Sequence, residues 1–115
     1  MTNLVHLICD LKCEGLGRIE PASYLRFTDD LVAFLELKVI NRYWQVFSNG
    51  SKFGLGISVL ILLSESHLAL HTSPEKKLLN LDIFSCHPFD EDMVNKMVRQ
   101  MFNPVTYLQW KLISR

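Results

Sequence analysis

The sequence has no excess of charge of either sign: Lys plus Arg number 12 and Asp plus Glu number 12, so the formal net charge is zero over 115 residues. A nucleic-acid-binding chain would normally show a basic excess, and a chain held electrostatically on a membrane surface would show a basic cluster. Neither is expected here. Long hydrophobic runs are also missing. The longest, residues 57–63, falls far short of the ~20 residues a helix needs to cross a bilayer. Met1-Thr2-Asn3 has no basic region, and the apolar run after it is broken by His6 and Asp10, so no secretory signal is expected. Cysteine is scarce and unpaired. Cys9, Cys13 and Cys86 are odd in number and form no CxxC pair, which points to reduced thiols in the cytoplasm. Internal repeats and low-complexity linkers are absent as well.

About half of the residues are apolar. That is enough for one core and leaves little for a second, so residues 1–115 read as a single domain. Alternation of apolar residues predicts a strand over 4–11, with Val5, Leu7, Cys9 and Leu11 on one face. After a glycine turn, Tyr24, Phe27, Leu31 and Leu35 fall at helical spacing behind Pro21, and that helix should end near Lys38. A strand over 39–47 should turn Ile40, Trp44 and Val46 one way, and the Ser-Asn-Gly-Ser cluster at 48–51 predicts a hairpin. The strand over 55–64 is almost continuously apolar, which predicts a central position with both faces covered. Strands over 67–72 and 78–85 follow. A helix over 90–102 has Asp90 as its N-cap and an apolar stripe through Val94, Met97 and Val98. A last strand over 106–113 should set Leu108, Trp110 and Leu112 on one face.

The order βα-ββββ-αβ, with tight turns between neighbouring strands, implies an α+β fold. It should be a two-layer α/β sandwich: a mainly antiparallel sheet with two helices on one face. The strands are apolar enough for the second face to want cover too. A second copy of the chain would supply it, and so would a compact loop in a monomer.

The residues that could carry chemistry cluster between 58 and 86. Ser66, His71 and Cys86 place a hydroxyl, an imidazole and a thiol at or near strand ends. Ser66 lacks the flanking glycines of a nucleophile elbow, and nothing identifies an orienting group for a Cys-His protease. His67, His71 and His87 make a poor metal set, because positions 67 and 71 lie ~13 Å apart at strand rise. No metal site is expected. Read singly, Ser66 is a strand-end hydroxyl, His71 a half-buried histidine, Cys86 a buried thiol and Glu75 a solvated turn residue.

Read together, Ser64-Glu65-Ser66-His67, Leu70-His71-Thr72-Ser73-Pro74-Glu75 and Asp82-Ile83-Phe84-Ser85-Cys86 resemble the bacterial and archaeal S-adenosylmethionine decarboxylases. His6-Leu7 with Asp10 and Cys13 is similar to that family's first strand, and the likeness extends over nearly the whole chain. The resemblance implies an enzyme that cuts itself between Glu65 and Ser66, giving fragments 1–65 and 66–115. Ser66 would become a pyruvoyl cofactor. It also implies that Ser58 and His71 serve the processing, that Cys86 protonates the product carbon, and that Glu75 binds the ribose hydroxyls. A homodimer with active sites at its interface is implied too.

The chemistry is coherent. Decarboxylation of an amino acid leaves an electron pair on the α-carbon, and a pyruvoyl carbonyl joined to the substrate amine as a Schiff base can take it up. The product would feed spermidine synthesis. Two positions depart from the family pattern. Ser73 replaces a large aromatic that stacks on the adenine, a role Phe53 would take over in part, and His87 replaces a glycine. These departures keep open a pyruvoyl-dependent decarboxylase of ornithine or arginine, and also an uncleaved, non-catalytic relative that binds a partner chain.

Overall fold

The computed structural model describes residues 4–48 and 52–115. Of the expected hairpin turn, residues 49–51 lie outside the described residues. In chain order the elements are β1 (Val5–Lys12), α1 (Pro21–Leu35), β2 (Val39–Phe47), β3 (Gly56–Leu63), β4 (Ser66–Ser73), β5 (Leu78–Ser85), α2 (Glu91–Phe102) and β6 (Thr106–Ser114), with single 3-10 turns at Leu16–Arg18 and Pro74–Lys76. The strands form one sheet in the order β2-β3-β4-β5-β1-β6, and every neighbouring pair is antiparallel.

Period-2 alternation sorts the side chains. Leu7, Cys9 and Leu11 of β1, Leu68 and Leu70 of β4, and Leu79, Leu81 and Ile83 of β5 are buried on one face. There they meet Tyr24, Phe27 and Leu31 of α1 and Val94, Val98 and Phe102 of α2. Phe102 ties the two helices together, stacked on Tyr24 at 5.8 Å and edge-on to Phe27 at 4.9 Å. Burial holds the Cys13 thiol protonated, raising its pKa from 9.0 to about 11. Cys9 is pushed up for the same reason, with the Asp82 and Asp10 charges adding to it.

β3 departs from expectation. It is second from an edge rather than central, and only one of its faces is covered. Ile57, Val59, Ile61 and Leu63 are buried, whereas Leu60 and Leu62 on the other face are 55% and 54% exposed. Two helices cover one side of a sheet, so the apolarity of β3 exceeds what its own chain can bury.

The edge strands hold two further differences. The β2–β3 register shifts between Val39 and Asn41, and the β1–β6 register shifts at Asp10/Leu11, so Ile40 and Leu108 become the extra residues of bulges. Both drop out of the faces expected for them. Leu11 pairs with Tyr107 instead of Leu108, which puts Tyr107 on the helix side. Its hydroxyl donates to Asn95 Oδ1 at 2.5 Å, and Trp110 Nε1 donates to Glu91 Oε2 at 3.0 Å. These bonds join the β6 edge to α2.

The helix ends follow capping chemistry. Pro21 opens α1. The helix stops at Leu35, earlier than expected, because Glu36 takes a left-handed conformation whose N–H returns to Ala33 O and Val32 O. At α2, Asp90 accepts hydrogen bonds from the Asp92 and Met93 amides. Asp90→Ala should therefore cost ~1 kcal/mol, read as a lower urea midpoint at unchanged slope. An unmoved midpoint would show the cap to be idle.

Candidate active site

The β3–β4 turn sits at one end of the sheet. Leu63 pairs with Ser66, so the chain reverses over Ser64 and Glu65. Glu65 sits at φ 60°. A residue with a Cβ in this left-handed region carries ~1–2 kcal/mol of strain. The strain falls directly before Ser66, which is buried on the helix side of the sheet and 5% exposed. Ser66 Oγ accepts a hydrogen bond from the Cys86 backbone N–H at 3.0 Å. The half-buried Cys86 follows directly on β5, so its free thiol stands beside the turn.

Next to this turn, on the open face, is an aromatic and imidazole cluster. His67 stacks on Phe84 at 5.3 Å, and His6 lies edge-on to both. His6 Nε2 is 3.6 Å from Asp82 Oδ1.

The opposite end of β3 and β4 carries the other pair. Ser58 faces His71 directly across the strands. Ser58 Oγ and His71 Nδ1 are 2.5 Å apart, a hydrogen bond. Phe47 stands edge-on to His71 at 6.3 Å. A cleft of about 210 Å3 opens beside them, lined by Phe47, His71, Thr72, Ser73, Pro74 and Glu75 with Gly54 and Gly56.

Phe53 does not line this cleft. It borders the neighbouring depression with Gly17, Arg18, Lys52 and Lys77. A close backbone crossing fixes it there, because a Cβ on Gly17 would sit 1.7 Å from Phe53 O and one on Gly54 2.3 Å from Gly17 O. Only glycine fits at either position, and Gly54 also has a φ of +94°.

Of the residues singled out in the sequence, then, the structure joins Glu65, Ser66 and Cys86 at one end, and Ser58, His71 and Glu75 at the other. The two groups do not meet within one chain: position 71 is five steps along β4 from position 66, ~16 Å at strand rise. Two site residues went unremarked in the sequence. Phe47 supplies the aromatic wall of the cleft, and its only signal is an alternation that puts it on the face of Tyr43 and Gln45. Ser85 is wholly buried next to Cys86, inside a stretch read only for its thiol. Among the described residues no group of three or more His, Cys, Asp or Glu side chains could hold a metal ion. Nor is any helix of the described residues long and apolar enough to cross a membrane.

A six-stranded antiparallel sheet under two helices, with a buried serine behind a strained turn residue at one end of β4 and a serine–histidine pair at the other, defines an α+β sandwich with one sheet face left open. The chain belongs to the S-adenosylmethionine decarboxylase family, whose profile matches residues 5–115. It is similar to the S-adenosylmethionine decarboxylase proenzyme of Archaeoglobus fulgidus, 36% identical over 58 residues that cover 50% of this chain and 52% of that one. A proenzyme of the same name from Clostridium botulinum is 29% identical over 82 residues, 70% of this chain and 66% of that one. The chain thus spans about half the length of the first of these relatives. The crystal structure of adenosylmethionine decarboxylase from Aquifex aeolicus has the same fold, with a TM-score of 0.77 at 20% identity over 99% of this chain and 91% of that one.

Proposed function

We propose that this chain is the proenzyme of a pyruvoyl-dependent S-adenosylmethionine decarboxylase that cuts itself at Glu65-Ser66 and works as a homodimer. Its product would serve as the aminopropyl donor for spermidine. The observation that carries this reading is the β3–β4 turn: a buried serine hydroxyl held by a backbone N–H, directly after a residue in the left-handed region. Such a turn suits conversion of residue 66, because strain in the Glu65 backbone is relieved when the peptide bond after it opens.

Once formed, the pyruvoyl group would supply the electron sink that α-decarboxylation needs. The chain's own residues would do the rest. The Cys86 thiol stands where a proton could be delivered to the carbon that has lost CO2. The Ser58–His71 pair offers a hydrogen-bonded hydroxyl and imidazole that can pass a proton during processing. Glu75 and Phe47 offer a carboxylate for sugar hydroxyls and an aromatic wall for a base.

The separation of the two ends supports a dimer. A two-fold axis lying between two stacked sheets and perpendicular to β4 lays each 58/71 end over the partner's 66/86 end. It also covers Leu60 and Leu62, which stand more than half exposed in the single chain.

One observation favours a second substrate class. The cleft has Ser73 where the family carries a large aromatic. Without that stacking ring it suits an amino acid that carries no base, such as ornithine or arginine, whose distal cation Glu75 would meet. Release of CO2 from S-adenosylmethionine, ornithine and arginine, each measured on split protein, separates the two. We expect turnover of S-adenosylmethionine. Turnover of a basic amino acid alone would replace the substrate and keep the chemistry. An intact chain inactive on all three would leave a non-catalytic binding partner.

A further inference from the structure

Ser85 is a buried polar residue near the turn that the proposed reaction does not yet use. It is fully buried, at the end of β5. Its hydroxyl makes two bonds to the backbone of one residue, donating to His87 O at 2.6 Å and accepting from His87 N at 3.2 Å. The bend at Cys86 is thereby closed from both sides. The N–H pinned in this way is the one that reaches Ser66 Oγ at 3.0 Å. Where the family pattern has a glycine, His87 stands here, and the Ser85 clamp holds that bend without one.

We propose that Ser85 is a positioning residue for self-cleavage: it fixes the bend at Cys86 so that the backbone N–H there stabilises Ser66 Oγ as that oxygen attacks the Glu65 carbonyl. This rests on the self-processing reading above. In the step concerned, the Ser66 O–C bond to the Glu65 carbonyl carbon forms and the C–N bond between residues 65 and 66 breaks. The hydroxyl proton ends on the nitrogen, which becomes a free amine. Negative charge builds on Oγ as its proton leaves. A donor already aimed at that oxygen, in a site closed to water, costs nothing to reorganise. β-Elimination then takes the proton from Cα of residue 66 as the Cβ–O bond breaks, freeing the Glu65 carboxylate and leaving a dehydroalanine that gains a proton at Cβ to become an imine. Water hydrolyses the resulting imine, releasing ammonia and leaving the ketone. Oγ departs with the 1–65 fragment, so the contact to the Cys86 N–H acts before the cut and not in later turnover.

The test compares two isosteric replacements that differ only in the hydroxyl, Ser85→Thr and Ser85→Val, with Ser85→Ala beside them. Freshly made full chains are followed by intact mass, and thermal midpoints are measured alongside. We expect Ser85→Thr to split at close to the wild-type rate and Ser85→Val to split roughly tenfold more slowly, less than the ~100-fold that outright loss of an oxyanion donor costs. Added hydroxylamine, which cuts esters, should release no extra 1–65 fragment from the valine chain, because the block precedes the ester. Equal rates for the threonine and valine chains would overturn the proposal, and so would a burst of 1–65 from the valine chain with hydroxylamine. If the alanine chain fails to fold, the threonine and valine pair still decides. A wild-type chain that never splits would sink the processing reading itself, whereas a splitting wild type with indistinguishable variants sinks only the role of Ser85.

Discussion

Replacing Ser66 with alanine should leave the polypeptide whole. Wild-type protein is expected to run as two fragments, 1–65 and 66–115, the second lighter by one ammonia than its sequence because its first residue has become a ketone. The Ser66→Ala chain should show a single mass, and its CO2 release should fall to background. The expectation is specific to one hydroxyl. Ser64 lies two residues earlier, is exposed and does not contact the Cys86 amide, so Ser64→Ala should split like the wild type. The fold is expected to survive the loss of Ser66 Oγ, whose hydrogen-bond partner among the described residues is that amide. A buried N–H left without its acceptor costs ~1–3 kcal/mol, a loss that a thermal midpoint would register without abolishing the fold. Two fragments from the Ser66→Ala chain would place the cut elsewhere and remove the basis for a pyruvoyl group at residue 66.

Much of the fold could be read from periodicity because the chain buries one sheet face cleanly. Leu79, Leu81 and Ile83 alternate with Asn80, Asp82 and Phe84, so the bounds of β5 follow from the pattern alone. The same holds for α2, where the Asp90 cap and the Val94, Val98 and Phe102 stripe agree. What misled was edge geometry and an unfilled interface. A bulge adds one residue and reverses the face of all that follow, and neither Ile40 nor Leu108 is of a type that announces one. β3 looked central because Leu60 and Leu62 are apolar, and periodicity cannot tell a covered face from one awaiting a partner.

The candidate site divides in the same way. Ser66, His71 and Cys86 stood out because they fall in recognisable runs. Phe47 and Ser85 are ordinary residues whose part comes from strand register and from a bend in the chain, and neither of these is written in local sequence.

The separation of the two ends leads to the second large effect. Suppose each working site takes Ser66 and Cys86 from one chain and the Ser58–His71 pair from its partner. A Ser66→Ala homodimer then has no site that can be converted. A His71→Ala homodimer has serines ready to convert, with no imidazole over either of them. Mixing the two restores one complete site per heterodimer: Ser66 of the His71→Ala chain beneath the partner's His71. Random assembly places half of all dimers in this class, so co-expression should return roughly a quarter of wild-type splitting and decarboxylation per chain, if each site acts alone. The split fragments should come from the His71→Ala chain only, and a mass tag on one of the two chains reads this directly. A site built within one chain predicts the opposite, because no pairing of the two variants would then contain an intact set. The ~16 Å between positions 66 and 71 along β4 already stands against the single-chain site. It exceeds the ~3 Å hydrogen-bond reach that proton transfer requires several times over. Recovery confined to the His71→Ala chain is therefore the result expected, and mixed dimers as silent as their parents would remove the shared site.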